Sequence, residues 1–241
     1  MNKDEAWLLN EKYNGMESAA FAEDCKRLAA GEPLAYLIGW VPFLDTKIAL
    51  DSRPLIPRPE TEYWVSEILT EIPEAAHILD LCAGSGCIGV AVAKARMMAR
   101  VDFSEIDARH HDTIAKNLAH NGITYERTRI FGGDLFEQVT DRYDYILSNP
   151  PYIDPALDRT EESVRAFEPH HALYGGTEGM ELVSRIIADA PRFLKPRGML
   201  VIEHEPEQVE NIRREADKAG FTAETHTDQF GVLRFTRLVL Y

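Results

Sequence analysis

From residue 77 onward, short apolar runs alternate with helical segments, and no other feature constrains the fold as strongly. The runs "HILDLCA", "MMARVDF", "RTRIFGGD" and "YDYILSN" read as strands, with helices expected over 86–95 and 106–120. A helix over 178–194, the strand "RGMLVIEH", a helix over 205–219 and a terminal strand "GVLRFTRLVLY" continue the pattern. Parallel strands need long crossovers, and helices serve as those crossovers. The expectation is therefore an α/β fold, a doubly wound and mostly parallel sheet covered on both faces. In such sheets ligands bind outside the carboxyl ends of the strands, and Asp80, Gly84, Asp102, Asp134 and Asn149 all fall at or near such ends.

Ahead of this region, residues 4–30 suggest one or two short helices broken at Asn14-Gly15, with Gly31 as a stop. The domain expectation is a helical N-terminal segment over 1–35, a hairpin or linker over 36–60, and the main domain over 61–241. Three cysteines without C-x-x-C spacing indicate neither a disulfide framework nor a zinc site, so a cytoplasmic protein without a metal is expected. No apolar window approaches a membrane span. With Lys+Arg at 26 and Asp+Glu at 40, the net charge of -14 disfavours a surface that tracks nucleic acid and suits a basic partner better.

The segment "LDLCAGSGCIG" contains Gly84-x-Gly86-x-x-Gly89, which alone fits any adenosine cofactor held by close backbone approach. Asp80 argues against a dinucleotide. An acid four residues before Gly84 would repel a diphosphate and attract a cation, and S-adenosylmethionine carries an ammonium and a sulfonium. Asp102 is then the expected ribose ligand.

The stretch "YDYILSNPPYID" ends an apolar strand with two prolines, which fix their own φ and push the preceding residue toward extended geometry. A stiff loop results. The Asn149 side-chain carbonyl and the Pro150 backbone carbonyl can together accept both N–H bonds of a planar NH2 group, and Tyr152 offers a face for stacking. That chemistry suits amide or exocyclic amino nitrogen, whose delocalised lone pair must be freed before it attacks a methyl. In isolation, the same four residues also fit a rigid turn with a packed tyrosine.

Six segments together carry a closer likeness: "IPRPETE", "ILDLCAGSGCI", "VDFS", "GDLF", "YDYILSNPPYI" and "FEPHHALYGGTEG". In order and rough spacing they resemble the HemK/PrmC family over about residues 31–241. Members of that family are class I (Rossmann-like) S-adenosylmethionine-dependent methyltransferases. They modify the glutamine side-chain nitrogen in the Gly-Gly-Gln loop of peptide chain release factors. The resemblance implies that Cys82, Ala83, Gly84, Ser85 and Gly86 cradle the methionine end, Asp102 the ribose, and Asp134 with Leu135 the adenine. It implies that Asn149 bridges cofactor and substrate, that Pro150, Pro151 and Tyr152 complete the glutamine pocket, and that the segment around Arg58 and Thr61 closes over the cofactor. An ion pair between Arg58 and Glu62 is the plainer reading of those two charges.

The likeness has departures. Only about 30 residues stand where the family carries a helical domain of several helices, and Cys82 stands where it usually has glycine. The pairs His110-His111 and His170-His171 lack metal-ligand spacing and read as surface or packing residues. A release factor is the expected partner of a monomeric enzyme acting in translation termination, with no DNA and no membrane. A ribosomal-protein glutamine and an adenine-N6 of nucleic acid are the alternative methyl acceptors.

Overall fold

The computed structural model describes all 241 residues. Three helices, α1 (Lys3–Tyr13), α2 (Ala19–Ala29) and α3 (Leu34–Ile38), pack around Leu8, Leu9, Phe21 and Leu37. Asn2 and Ser18 cap the first two with side-chain oxygens, and Asn14 ends α1 in the left-handed region. A hairpin follows, β1 (Trp40–Phe43) and β2 (Thr46–Ala49). It is fastened to the main body by Asn117, whose amide exchanges hydrogen bonds of 2.7 and 3.1 Å with the backbone of Ala49.

The main body begins with α4 (Pro59–Leu69), opened by a proline at its first position, where the missing N–H costs nothing. It continues through β3 (His77–Leu81), α5 (Cys87–Ala95), β4 (Arg100–Ser104), α6 (Ala108–His120), β5 (Thr128–Phe131) and β6 (Tyr143–Ser148). After β6 come α7 (Glu162–Phe167), α8 (Glu181–Phe193), β7 (Leu194–Glu203), α9 (Val209–Ala219), β8 (Phe221–Thr227) and β9 (Leu233–Leu240). The sheet order is β5-β4-β3-β6-β7-β9-β8, parallel from β5 through β7, with β9 antiparallel to both its neighbours. Strand order reverses between β3 and β6, where ligand sites of such sheets form.

Each face of the sheet has its own apolar layer. Trp64, Val65, Ile68, Val90 and Ile114 cover one, and Val183, Ile186, Ile187, Ile212 and Ala216 cover the other. The doubly wound, mostly parallel α/β architecture is thus present.

Three elements depart from the sequence reading, the first being α3, which follows the expected stop at Gly31 and runs into the segment expected as a hairpin or linker. Strand β8 follows α9 directly, although "FTAETHT" is largely polar, because an edge strand buries only alternate residues and needs few apolar side chains. Helix α7 lies in a stretch assigned no element and buries no residue.

Candidate active site

The register of three parallel strands assembles the site. Leu81 lies opposite both Ser104 and Ser148, so the next residues, Cys82, Glu105 and Asn149, leave the sheet at one level. Beyond them lies a cavity of about 320 Å³ lined by Cys82, Gly84, Glu105, Ile106, Leu135 and Asn149, among others. A second chamber, of about 430 Å³, is lined by Arg58, Asn149, Pro150, Tyr152, Glu203 and Arg234, among others. Asn149 belongs to both walls.

Gly84 and Gly86 take φ of +54° and +76°, which lets the turn between β3 and α5 close without a Cβ penalty. Cys82 adopts φ +63°, the region that glycine enters freely. The departure from the family pattern therefore carries backbone strain of roughly 1–2 kcal/mol. Gly89 serves packing: a Cβ there would meet the Phe103 ring at 2.3 Å. Ala83, Ser85 and Gly86 form the rear of this turn, with the Ser85 carbonyl accepting from Asn117 at 2.9 Å.

Asp102 is not brought to the cavity, which corrects the sequence expectation. It sits two residues inside β4, where its carboxylate accepts from Arg129, from Tyr143 at 3.0 Å and shares a 3.0 Å contact with His77. Burial pushes its pKa up, and these partners more than offset it, holding the group below the usual range. The acid at the cavity is Glu105, the first residue past the strand. Its Oε2 accepts from the Gly84 N–H at 2.7 Å and its Oε1 from the Asp107 N–H at 2.8 Å.

Asp80 is likewise held away from the cavity. It is fully buried under α5, where Oδ2 accepts from the Gly89 N–H at 2.8 Å and Oδ1 has no partner. Burial raises its carboxyl to about 8. The role visible in the structure is to hold the start of α5 to β3, not to face a ligand.

Leu135 at φ +52° and Asp134, paired with Arg185 at 2.5 Å, line the cavity beside the end of β4, and Pro151 forms part of the same lining. Ile106, largely exposed, follows Glu105 directly and presents an apolar surface. An acid beside an apolar wall, next to a left-handed glycine turn, fits the ribose and adenine of S-adenosylmethionine. Glu105 would hold the ribose hydroxyls, Ile106 and Leu135 the adenine, and the Cys82–Gly84 turn the methionine end.

Around the second chamber, Thr61 is buried behind Asn149 and away from the cofactor cavity. The Asn149 Nδ2 donates to Thr61 Oγ1 at 2.9 Å, and Thr61 in turn donates to Glu203 at 2.7 Å. Tyr152 donates its hydroxyl to Glu203 at 2.8 Å. Arg58 pairs with Glu168 at 2.7 Å instead of Glu62, whose carboxylate accepts from the Leu44 N–H. The Pro-Arg-Pro and Phe-Glu-Pro segments are thereby joined at the chamber wall. Glu105, Glu203 and Glu168 all escaped the sequence reading. For Glu203 a signal existed, since a charge inside the apolar run "LVIEH" requires partners.

The histidine pairs are split by the fold. His110 is buried and shares a 2.7 Å hydrogen bond with Ser52, and both His110 and His171 line the cofactor cavity. Asp107 lies 3.8 Å from His110 and 3.7 Å from His171, but both its oxygens are held by Arg109. His111 and His170 bond to the carbonyls of Glu105 and Arg165.

Fold and site together define a class I methyltransferase, and its cofactor is S-adenosylmethionine. Residues 61–167 match the family model of the methyltransferase small domain. A release factor glutamine methyltransferase of Geobacter sulfurreducens is 38% identical over 214 residues, spanning 88% of this chain and 74% of that protein. The chain belongs to the release factor glutamine methyltransferase family. Among solved structures, a methyltransferase from Pyrococcus furiosus aligns over 90% of this chain and 98% of its own, with TM-score 0.63 and 17% identity. TYW2 of M. jannaschii, solved with AdoMet, aligns over 83% of this chain and 84% of its own, with TM-score 0.56 and 14% identity. These last two show the shared fold.

Proposed function

We propose that this protein methylates the side-chain amide nitrogen of the glutamine in the Gly-Gly-Gln motif of a peptide chain release factor. The observation that carries the reading is the position of Asn149, the one strand-end side chain common to the cofactor cavity and the second chamber. When bound, S-adenosylmethionine supplies an electrophilic methyl group. Asn149 and Pro150 supply the opposing requirement, two carbonyl acceptors that hold the N–H bonds of a planar amide and draw its lone pair out of conjugation. Pro150 and Pro151 keep these acceptors stiff, and Tyr152, with its hydroxyl tied to Glu203, walls the chamber. No strong base is needed, because the nitrogen becomes acidic once it carries the methyl and its proton passes to water.

The family relatives are named for release factors, and the net charge of -14 complements a basic protein substrate. We further propose a monomer acting in the cytoplasm, with no DNA substrate. No helix is long and apolar enough to cross a membrane. The test is incubation with labelled S-adenosylmethionine and, separately, a release factor, ribosomal proteins and DNA, followed by mass spectrometry of the labelled residue. Label on the release factor glutamine supports the reading, and label on DNA or on no glutamine refutes it.

A further inference from the structure

Strands β6 and β7 run in register with Ser148 opposite Ile202, so Asn149 and Glu203 stand side by side where the sheet ends. Glu203 is 1% exposed and collects three donors. Thr61 and Trp64 each donate to its Oε2 at 2.7 Å, and Tyr152 donates to its Oε1 at 2.8 Å. A threonine hydroxyl has a single proton. Because that proton goes to Glu203, Thr61 can only accept from its other neighbour, and the neighbour is Asn149 Nδ2 at 2.9 Å. An asparagine amide has two ends, and this arrangement fixes which end faces Thr61. The carbonyl oxygen must then face the other way, toward the junction of the two cavities.

We infer that Glu203, acting through Thr61, is a positioning residue that sets the direction of the Asn149 amide and so makes the site accept N–H donors. The inference rests on the reading of Asn149 as an acceptor for the target amide. Reversing the amide would present an NH2 to an incoming NH2, a donor facing a donor. Glu203 also anchors Tyr152, so one buried carboxylate orders both ends of the Asn-Pro-Pro-Tyr loop. The carboxylate reaches the loop from strand β7, and Thr61 reaches it from the first turn of α4. Neither residue needs to touch the substrate to decide what it must look like.

The test compares wild type, Thr61→Val, Thr61→Ser, Glu203→Gln and Asn149→Ala for transfer to a release factor and, by calorimetry, for S-adenosylmethionine binding. Valine keeps the shape and removes both hydrogen bonds. Thr61→Val is expected to lower kcat about 10- to 100-fold while cofactor affinity moves less than about 3-fold, the scale of a lost oriented contact. Thr61→Ser should recover to within about 3-fold of wild type, since it restores the hydroxyl. Glu203→Gln should stay within about 3-fold of wild type, because the Trp64 indole can only donate and so keeps the glutamine carbonyl, not its NH2, facing Thr61, while the Tyr152 hydroxyl can accept from the NH2. The double variant Thr61→Val with Asn149→Ala should lose no more than Asn149→Ala alone, as expected for residues acting through one group. A wild-type kcat in Thr61→Val, additive losses, or a parallel fall in cofactor affinity would each overturn the inference. Absence of transfer in the wild type would instead refute the proposed function. In that event the side-chain NH2 of Asn149, followed by proton exchange, still decides the inference. Protection in wild type that is lost in Thr61→Val supports it, and rapid exchange in wild type overturns it.

Discussion

The Arg58 guanidinium donates to the Glu168 carboxylate over 2.7 Å, joining residues 110 positions apart at the wall of the target chamber. The other oxygen of Glu168 accepts the Ile56 N–H at 3.0 Å, and its side chain is 1% exposed. Arg58→Ala strands a buried carboxylate. Urea unfolding should report a loss of about 2–4 kcal/mol, as for a broken buried pair. The Michaelis constant for the protein substrate should rise, because the chamber wall loosens. An unchanged unfolding curve would show that the pair is dispensable.

Removal of the Asn149 side chain separates binding from transfer. In Asn149→Ala, cofactor affinity should stay within about tenfold while transfer falls about 100-fold or more, the magnitude of a lost acceptor aligned with the reacting group. Single-turnover rates together with calorimetric affinities decide this. Equal losses in both would mean that Asn149 serves the cofactor alone.

Glu105 and Asp102 lie three residues apart and should respond oppositely. Glu105→Gln is expected to weaken S-adenosylmethionine binding by about tenfold or more, since a neutral amide cannot accept both ribose hydroxyls and the Gly84 N–H equally. Asp102→Asn should leave binding within about threefold while lowering stability by about 1–3 kcal/mol, because it disturbs a buried charged network. The opposite pattern would restore Asp102 as the ribose ligand.

The glycine turn makes a third contrast. Gly89→Ala pushes a methyl into the Phe103 ring, 2.3 Å from the ideal Cβ position, and should cost about 1–3 kcal/mol as overpacking. Cys82→Gly should be tolerated, with a stability change within about 1 kcal/mol, because relief of strain at positive φ offsets the greater freedom of the unfolded chain. Thermal unfolding of both variants checks the pair of expectations. A destabilised Cys82→Gly would mean that the thiol's packing outweighs the strain.

Buried acids and a buried histidine give stability pH dependences of opposite sign. Burial raises Asp80 to about 8, well above its value of about 4 in an unfolded chain. Between these values the folded state binds a proton that the unfolded state lacks, so stability falls as pH rises. Glu203, also raised by burial, adds the same sign. Burial lowers His204 to about 4, so between about 4 and 6.5 the unfolded state binds the extra proton and stability rises with pH. Above about 6.5 only the decline remains, and Asp80→Asn should make it shallower. Parallel denaturation curves for wild type and Asp80→Asn from pH 6.5 to 8 would refute the assignment.

The parallel strands were legible because runs such as "HILDL" and "YDYILS" are mostly apolar without a strict alternation, and the crossover helices between them carry their own period. The Asn-Pro-Pro-Tyr loop was legible because proline pairs have a local steric meaning. Asp102 was misplaced for a reason of length: β4 runs on to Ser104, and two residues decide whether an acid points into the sheet or out over its end. Only pairing with Leu81 fixes that end. Asp80 looked like a ligand for a cation because spacing along the chain says nothing about which side of a turn an acid faces. The partnership of Thr61 with Glu203 spans 142 positions, and nothing local in either segment announces the other.

Gly179 lies so close to Tyr152 that a Cβ would come within 1.8 Å of the tyrosine carbonyl oxygen. Gln208 donates to that same oxygen at 2.7 Å, and the Ile153 N–H bonds to the Leu173 carbonyl at 2.9 Å. The loop and the segment behind it are cast as one piece. The entropy of arranging the acceptors is therefore lost once, when the chain folds, and not again at every turnover. A partner that docks here meets a finished mould, so the ordering cost on encounter falls on the partner's own glutamine-bearing segment.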